Sequence, residues 1–211
     1  MDDFLGRLVS DLEPVRRRRP HVEALVLALL CLAELALWLA LNQARPNLMG
    51  VALTTPTFWW KLASSGLIAG LGAATAINSL DPAVSPRRGL IWIAIAFVAY
   101  LIVGAFTDGR FDRIDILQRL DWRDGVECLE KVVLLSAPAM TALGVFMRNG
   151  APAHREETAL AAGIAAAAWA AFVFSFGCPH DDPLYIGVWY TLACALSASI
   201  ARVLLPWFAR W

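Results

Sequence analysis

Apolar residues in this chain fall into six long runs, at 24–41, 58–80, 89–106, 129–147, 158–177 and 184–208, separated by short clusters that hold most of the charge. A helix of about twenty residues crosses a bilayer core of roughly 30 Å. In lipid every backbone N–H and C=O needs an internal partner, so an open chain crosses only as helix. The pattern therefore predicts an all-α polytopic membrane protein: a six-transmembrane-helix bundle over 23–211 and a short cytoplasmic tail over 1–22, carrying an amphipathic N-terminal helix. Gly66, Gly70, Gly72 and the alanines at 165–168 are small enough to bring helix axes close, and they are the expected contacts between spans.

Composition supports this reading. The chain is 59% apolar and 17% charged, whereas soluble domains lie near half and a quarter. The first run follows four arginines but contains Glu34 and ends without a small-residue cleavage site, so it is expected to stay attached as a span rather than leave as a signal peptide. With the N-terminus inside, ten arginines fall on the cytoplasmic side (Arg7, Arg16, Arg17, Arg18, Arg19, Arg87, Arg88, Arg148, Arg155 and Arg210) and five on the other (Arg45, Arg110, Arg113, Arg119 and Arg123). This bias places both termini in the cytoplasm. In the long outer loop at 107–126, Phe111, Ile114, Leu117 and Leu120 recur at helical spacing and predict a short helix lying on the membrane surface.

Four cysteines are present. Cys31 and Cys194 fall in mid-span and read as core filling. Cys128 opens the fourth span and Cys178 closes the fifth, both at the outer end. The loop joining those spans is short, so they are expected to be antiparallel neighbours with Cys128 and Cys178 close together. Three readings stay open: a functional thiol pair, a structural disulfide, or two unrelated thiols. His180, in Cys178-Pro179-His180-Asp181-Asp182-Pro183, makes Cys128, Cys178 and His180 a candidate set for a transient soft metal ion, and no resident cofactor is expected. Asp182 before Pro183 also has the simpler role of capping the last helix.

Glu34 is costly in lipid and flags either a transport function or a bond to Ser64, Ser65, Thr75 or Asn78 across a helix interface. Gly-x-Ser-x-Gly and His-Glu-x-x-His motifs are absent, and His21 and His154 lie at helix ends, so no catalytic residues are assigned and no enzyme is expected.

In the tail, Phe4, Leu5, Leu8, Val9 and Leu12 form one apolar stripe on a helix that Pro14 ends. So short a helix is marginal alone in water and should order on the inner leaflet, helped by Arg16, Arg17, Arg18 and Arg19, or in a protein groove.

The stretch Leu8-Val9-Ser10-Asp11-Leu12-Glu13-Pro14-Val15-Arg16-Arg17 resembles the segment before the first span of the negative-regulator-of-sigma-F (NrsF) type of membrane anti-sigma factors. So do Asn149-Gly150-Ala151-Pro152, Cys178-Pro179-His180-Asp181-Asp182-Pro183 and Trp189-Tyr190, and Cys128 matches in placement. Family members often carry His before Cys-Pro, where this chain has Gly177. The resemblance implies a bacterial inner-membrane protein whose tail (Phe4, Leu5, Leu8, Asp11, Leu12, Pro14, Arg16, Arg17) sequesters an extracytoplasmic-function sigma factor. It further implies that Cys128 and Cys178 act as sensor thiols for heavy metal or oxidant. The partners expected are that sigma factor and the lipid bilayer, with no direct nucleic-acid contact. The alternative is a membrane thiol-disulfide oxidoreductase, and the third reading is a transporter using Glu34.

Overall fold

A computed structural model describes residues 18–41, 44–46, 48–50, 54–108 and 116–209; the tail positions Phe4 to Arg17 and the first half (111–115) of the expected surface helix at 111–120 lie outside them. The described residues form helices and no strands: α1 (Pro20–Ala40), α2 (Pro56–Asn78), α3 (Arg87–Thr107), the short turn α4 (Ile116–Arg119), α5 (Trp122–Asn149), α6 (Arg155–Phe174) and α7 (Pro183–Phe208). Of these, α1, α3, α5, α6 and α7 are long and apolar enough to cross a membrane. Helix α2 is also long, but Lys61, Ser64, Ser65, Thr75 and Asn78 dilute its apolar run. Six spans thus remain an expectation, with five met by length and hydropathy.

Helix α6 sits at the centre, packed against α2, α5 and α7, with α1 and α3 on the outside. Its sequence explains the position. Ala165, Ala166, Ala167, Ala168, Ala170 and Ala171 are all buried, and side chains this short let three neighbours approach at once. Gly72 on α2 faces the Ala165 backbone so closely that a Cβ would lie 2.9 Å from its Cα. Gly163 stands in the same relation to Ala198 on α7, at 2.8 Å, whereas Gly66 approaches only the Phe172 ring and Gly70 meets nothing within 4 Å. The small-residue reading holds for Gly72 and the alanine run and fails for Gly70.

The outer helices show what surrounds the bundle. Leu27 is the only buried residue of α1, while Leu25, Leu29, Leu32 and Leu37 are each exposed by 57–60%. Ile91, Trp92, Ile95 and Val98 make a similar face on α3. Contiguous apolar surface on this scale is foreign to a monomer in water and natural against hydrocarbon.

Glu34 differs from expectation. Trp169 Nε1 on α6 donates to its Oε2 at 3.0 Å, and Oε1 is buried without a partner among the described residues. Ser64, Ser65 and Thr75 instead donate to carbonyls of their own helix, which satisfies a hydroxyl in lipid without reaching a neighbour.

Candidate functional site

Helix α5 begins at Trp122, earlier than the apolar run suggested, so Cys128 lies nearly two turns inside it rather than at its opening. Helix α6 ends at Phe174, and the chain then turns through Ser175, Phe176 and Gly177, with the Gly177 and Cys178 amides each donating to the Phe174 carbonyl at 2.9 Å. Because α5 packs along α6, this turn carries Cys178 back over the α5 helix. Both cysteines are free and buried, at 2% and 1% exposure, and they share one core cluster, close enough for each to perturb the other's ionisation. Of the predicted site residues, these two are brought together.

His180 is not brought into the pair through its ring. Its carbonyl oxygen lies 3.8 Å from Cys178 Sγ, but its imidazole bonds Asp124 Oδ2 at 2.9 Å and stacks on Tyr185 at 4.3 Å. Among the described residues no three His, Cys, Asp or Glu side chains gather as a metal site. A soft cation would therefore find two sulfur ligands here and need others from outside.

The loop is clamped from three sides. Lys61 on α2 is 1% exposed, and its ammonium donates to the Cys178 carbonyl at 3.5 Å, the His180 carbonyl at 3.2 Å and Asp181 Oδ1 at 3.0 Å. Arg45 reaches the other oxygen of Asp181 at 2.8 Å and the Cys178 carbonyl at 3.1 Å. Arg119 grips Asp182 through both carboxylate oxygens at 2.8 and 2.7 Å and also holds Asp108. Asp182 still accepts from the Leu184 amide at 2.8 Å, so its capping role is realised alongside the ion pair. Finally Trp189 Nε1 donates to the Leu120 carbonyl at 2.7 Å, fixing α7 to the start of α5. Gly125 permits this, since a Cβ there would meet the Trp189 ring at 1.9 Å.

These charges set the titration of the site. Hydrogen bonding from Cys128, reinforced by the Lys61 ammonium, holds the Cys178 thiol down at about 6, against the opposing effect of burial. Burial also works against ionisation of Asp181, but the Arg45 hydrogen bond and Lys61 outweigh it and hold that carboxyl below its usual range. Arg119 does the same for Asp182. Two neighbouring thiols, one of them made more acidic by its surroundings, form a pair able to take a soft cation or to lose two electrons and close as a disulfide.

Lys61 was passed over in the sequence, although an ammonium in an apolar run carries the same warning as Glu34. Arg45, Arg119, Asp108 and Asp124 had no comparable signal. They are ordinary loop charges until the fold brings them to the Cys178 turn.

Among the described residues the chain is an all-helical bundle with five helices long and apolar enough to cross a membrane, and it carries a buried pair of free thiols. The chain matches the family "Negative regulator of sigma F" over residues 8–211, and it belongs to that anti-sigma family. It is 29% identical over 182 residues, covering 83% of this chain and 82% of the relative, to a probable anti-sigma-F factor NrsF of Azospira oryzae. No solved structure matches it.

Proposed function

We propose that this protein is a six-span inner-membrane anti-sigma factor that holds an extracytoplasmic-function sigma factor against the cytoplasmic face through its N-terminal tail. Heavy metal or oxidant acting at Cys128 and Cys178, on the periplasmic side, releases it. The observation that carries the reading is the buried thiol pair in a chain whose match to the anti-sigma family begins at residue 8 and so includes most of the tail. The stripe Leu8 and Leu12, with Phe4 and Leu5, is the holding surface, flanked by Asp11, Pro14, Arg16 and Arg17.

The coupling runs through the clamp. Lys61 ties the Cys178 turn to α2 and Asp182 starts α7, so bridging the thiols, by metal or by a disulfide, pulls on both helices as well as on α5. A tenfold change in sigma affinity needs only about 1.4 kcal/mol of difference between the two states.

Co-purification tests the reading. The solubilised wild-type protein should retain a sigma factor, and Leu8→Asp with Leu12→Asp should lose it while still inserting in the membrane, because charge is forced into a desolvated contact. An unchanged pull-down by that double variant would refute the holding surface. A thiol-disulfide oxidoreductase is the second reading, favoured by the lowered Cys178 pKa. It requires turnover with a dithiol substrate, which the almost complete burial of both sulfurs opposes.

A further inference from the structure

Helix α1 joins the two ends of the molecule that the proposed function needs: the tail runs into it at Pro20, and its other end lies against the Cys178 turn. At that end it is fastened twice. The Trp38 indole packs edge-on against the Phe174 ring, 6.3 Å between centroids, and Phe174 is the residue whose carbonyl accepts from the Gly177 and Cys178 amides. Just beyond the helix, the Arg45 amide donates to the Phe176 carbonyl at 2.9 Å and its guanidinium to the Cys178 carbonyl at 3.1 Å. A displacement of the turn is therefore passed to α1 through ring contact and backbone together.

The rest of α1 is held lightly. Leu27 is its only buried residue, and the exposed apolar face can shift against lipid at little cost, since hydrocarbon solvates one position of a leucine as well as another. Towards the middle stands a polar contact, the 3.0 Å bond from Trp169 Nε1 on α6 to Glu34 Oε2. Breaking it would strand a carboxyl in an apolar interface, so it resists sliding; being a single bond, it leaves the helix free to tilt. Helix α6 gives it a fixed base, because its buried alanines are packed against three neighbours. At the tail end Arg18 pairs with Glu23 and reaches the Ile77 carbonyl, near the end of α2, at 3.4 Å.

We propose that α1 is a lever with the Glu34–Trp169 bond as its fulcrum, turning a displacement of the Cys178 turn into a larger displacement of the tail. At about 1.5 Å per residue the arm from Glu34 to Trp38 is ~6 Å and the arm from Glu34 to Pro20 is ~21 Å, so a shift of ~1 Å at Trp38 becomes ~3–4 Å at the base of the tail. A shift of that size breaks the contact of Arg18 with the Ile77 carbonyl, which at 3.4 Å is already at the limit of a hydrogen bond. Glu34 is thus a positioning residue for the tail, acting through the tilt of the helix that carries it. The trigger rests on the thiol-sensor reading proposed above; the lever rests on the packing of α1 alone.

The test uses the full chain with its co-purified sigma factor in nanodiscs, labelled with 5-fluorotryptophan and treated with diamide. The N=N bond of diamide takes two protons and two electrons from Cys128 and Cys178 as the S–S bond forms, and peptide mass confirms that disulfide. Fluorine resonances of Trp38, and of Val22→Trp at an exposed position near the tail end of α1, report the two arms. With Glu34 in place both resonances should shift as the disulfide forms, and sigma affinity should fall about tenfold. Glu34→Leu should form the same disulfide and shift the Trp38 resonance, yet leave the Val22→Trp resonance in place and the affinity within about twofold of its reduced value. Glu34→Gln, which still accepts from Trp169, should restore both responses. A tail-end resonance that stays put with Glu34 present once the disulfide has formed, or that moves equally in Glu34→Leu, would overturn the lever. Movement of both resonances with the sigma factor still held would leave the lever standing and count against the release reading instead.

Discussion

Replacing Lys61 by Met isolates the electrostatic contribution to the thiol site, since Met keeps the length and apolar stem of lysine while removing the charge. The ammonium makes three hydrogen bonds to the Cys178 turn, one of them to Asp181, and its side chain is fully buried. Removing one partner of a buried pair costs roughly 3–5 kcal/mol when the other charge is stranded. Here Asp181 keeps Arg45 at 2.8 Å and is 23% exposed, so the expected loss is lower, about 2–3 kcal/mol. The sharper effect is on Cys178. At an effective dielectric of about 20, two unit charges ~5 Å apart interact by ~3 kcal/mol, worth about two pH units, and sharing the ammonium with Asp181 reduces this to roughly one. The thiolate midpoint, followed by absorbance at 240 nm with Cys178→Ser subtracted, should therefore rise from about 6 towards 7. Cys128→Ala should raise it further, because the Cys128 hydrogen bond is the larger cause. The same midpoint in Lys61→Met and wild type would refute the electrostatic account of the site.

Three further outcomes follow from other parts of the fold. The Cys178 thiol titrates lower in the folded state than its ordinary value of 9.0, so its contribution to stability is complete above about pH 9 and lost as pH falls through about 6. Chemical unfolding in detergent should show that slope between the two values in the wild type and not in Cys178→Ser. Gly163→Ala places a Cβ against Ala198 and Ala201 and should destabilise the bundle by about 1–3 kcal/mol, seen as a lower melting temperature. Trp169→Phe strips Glu34 of its donor and should cost about 1–3 kcal/mol, with the penalty vanishing in a Glu34→Leu background; a penalty unchanged there would mean that packing of the indole, not its hydrogen bond, is what counts.

Except at the start of α5, which lies seven residues before its apolar run, those runs located the helices to within a few residues, because lipid leaves a spanning chain no other backbone solution and the requirement shows in composition alone. The short connection at 150–154 already made α5 and α6 neighbours, and with them Cys128 and Cys178. Even Asp182 as a helix cap was legible, since capping is a property of adjacent residues. The loop charges were different. Arg45 and Arg119 meet Asp181 and Asp182 across 136 and 63 residues, and nothing local marks them as partners. Glu34 found Trp169 rather than a hydroxyl of α2, because Ser64, Ser65 and Thr75 had nearer acceptors in their own helix. Local rules thus determined which segments are helical and which side chains are chemically able. Tertiary packing decided which partners the buried charges meet, because a charge in the bundle must find an opposite charge or a hydrogen-bonding group wherever the fold places one.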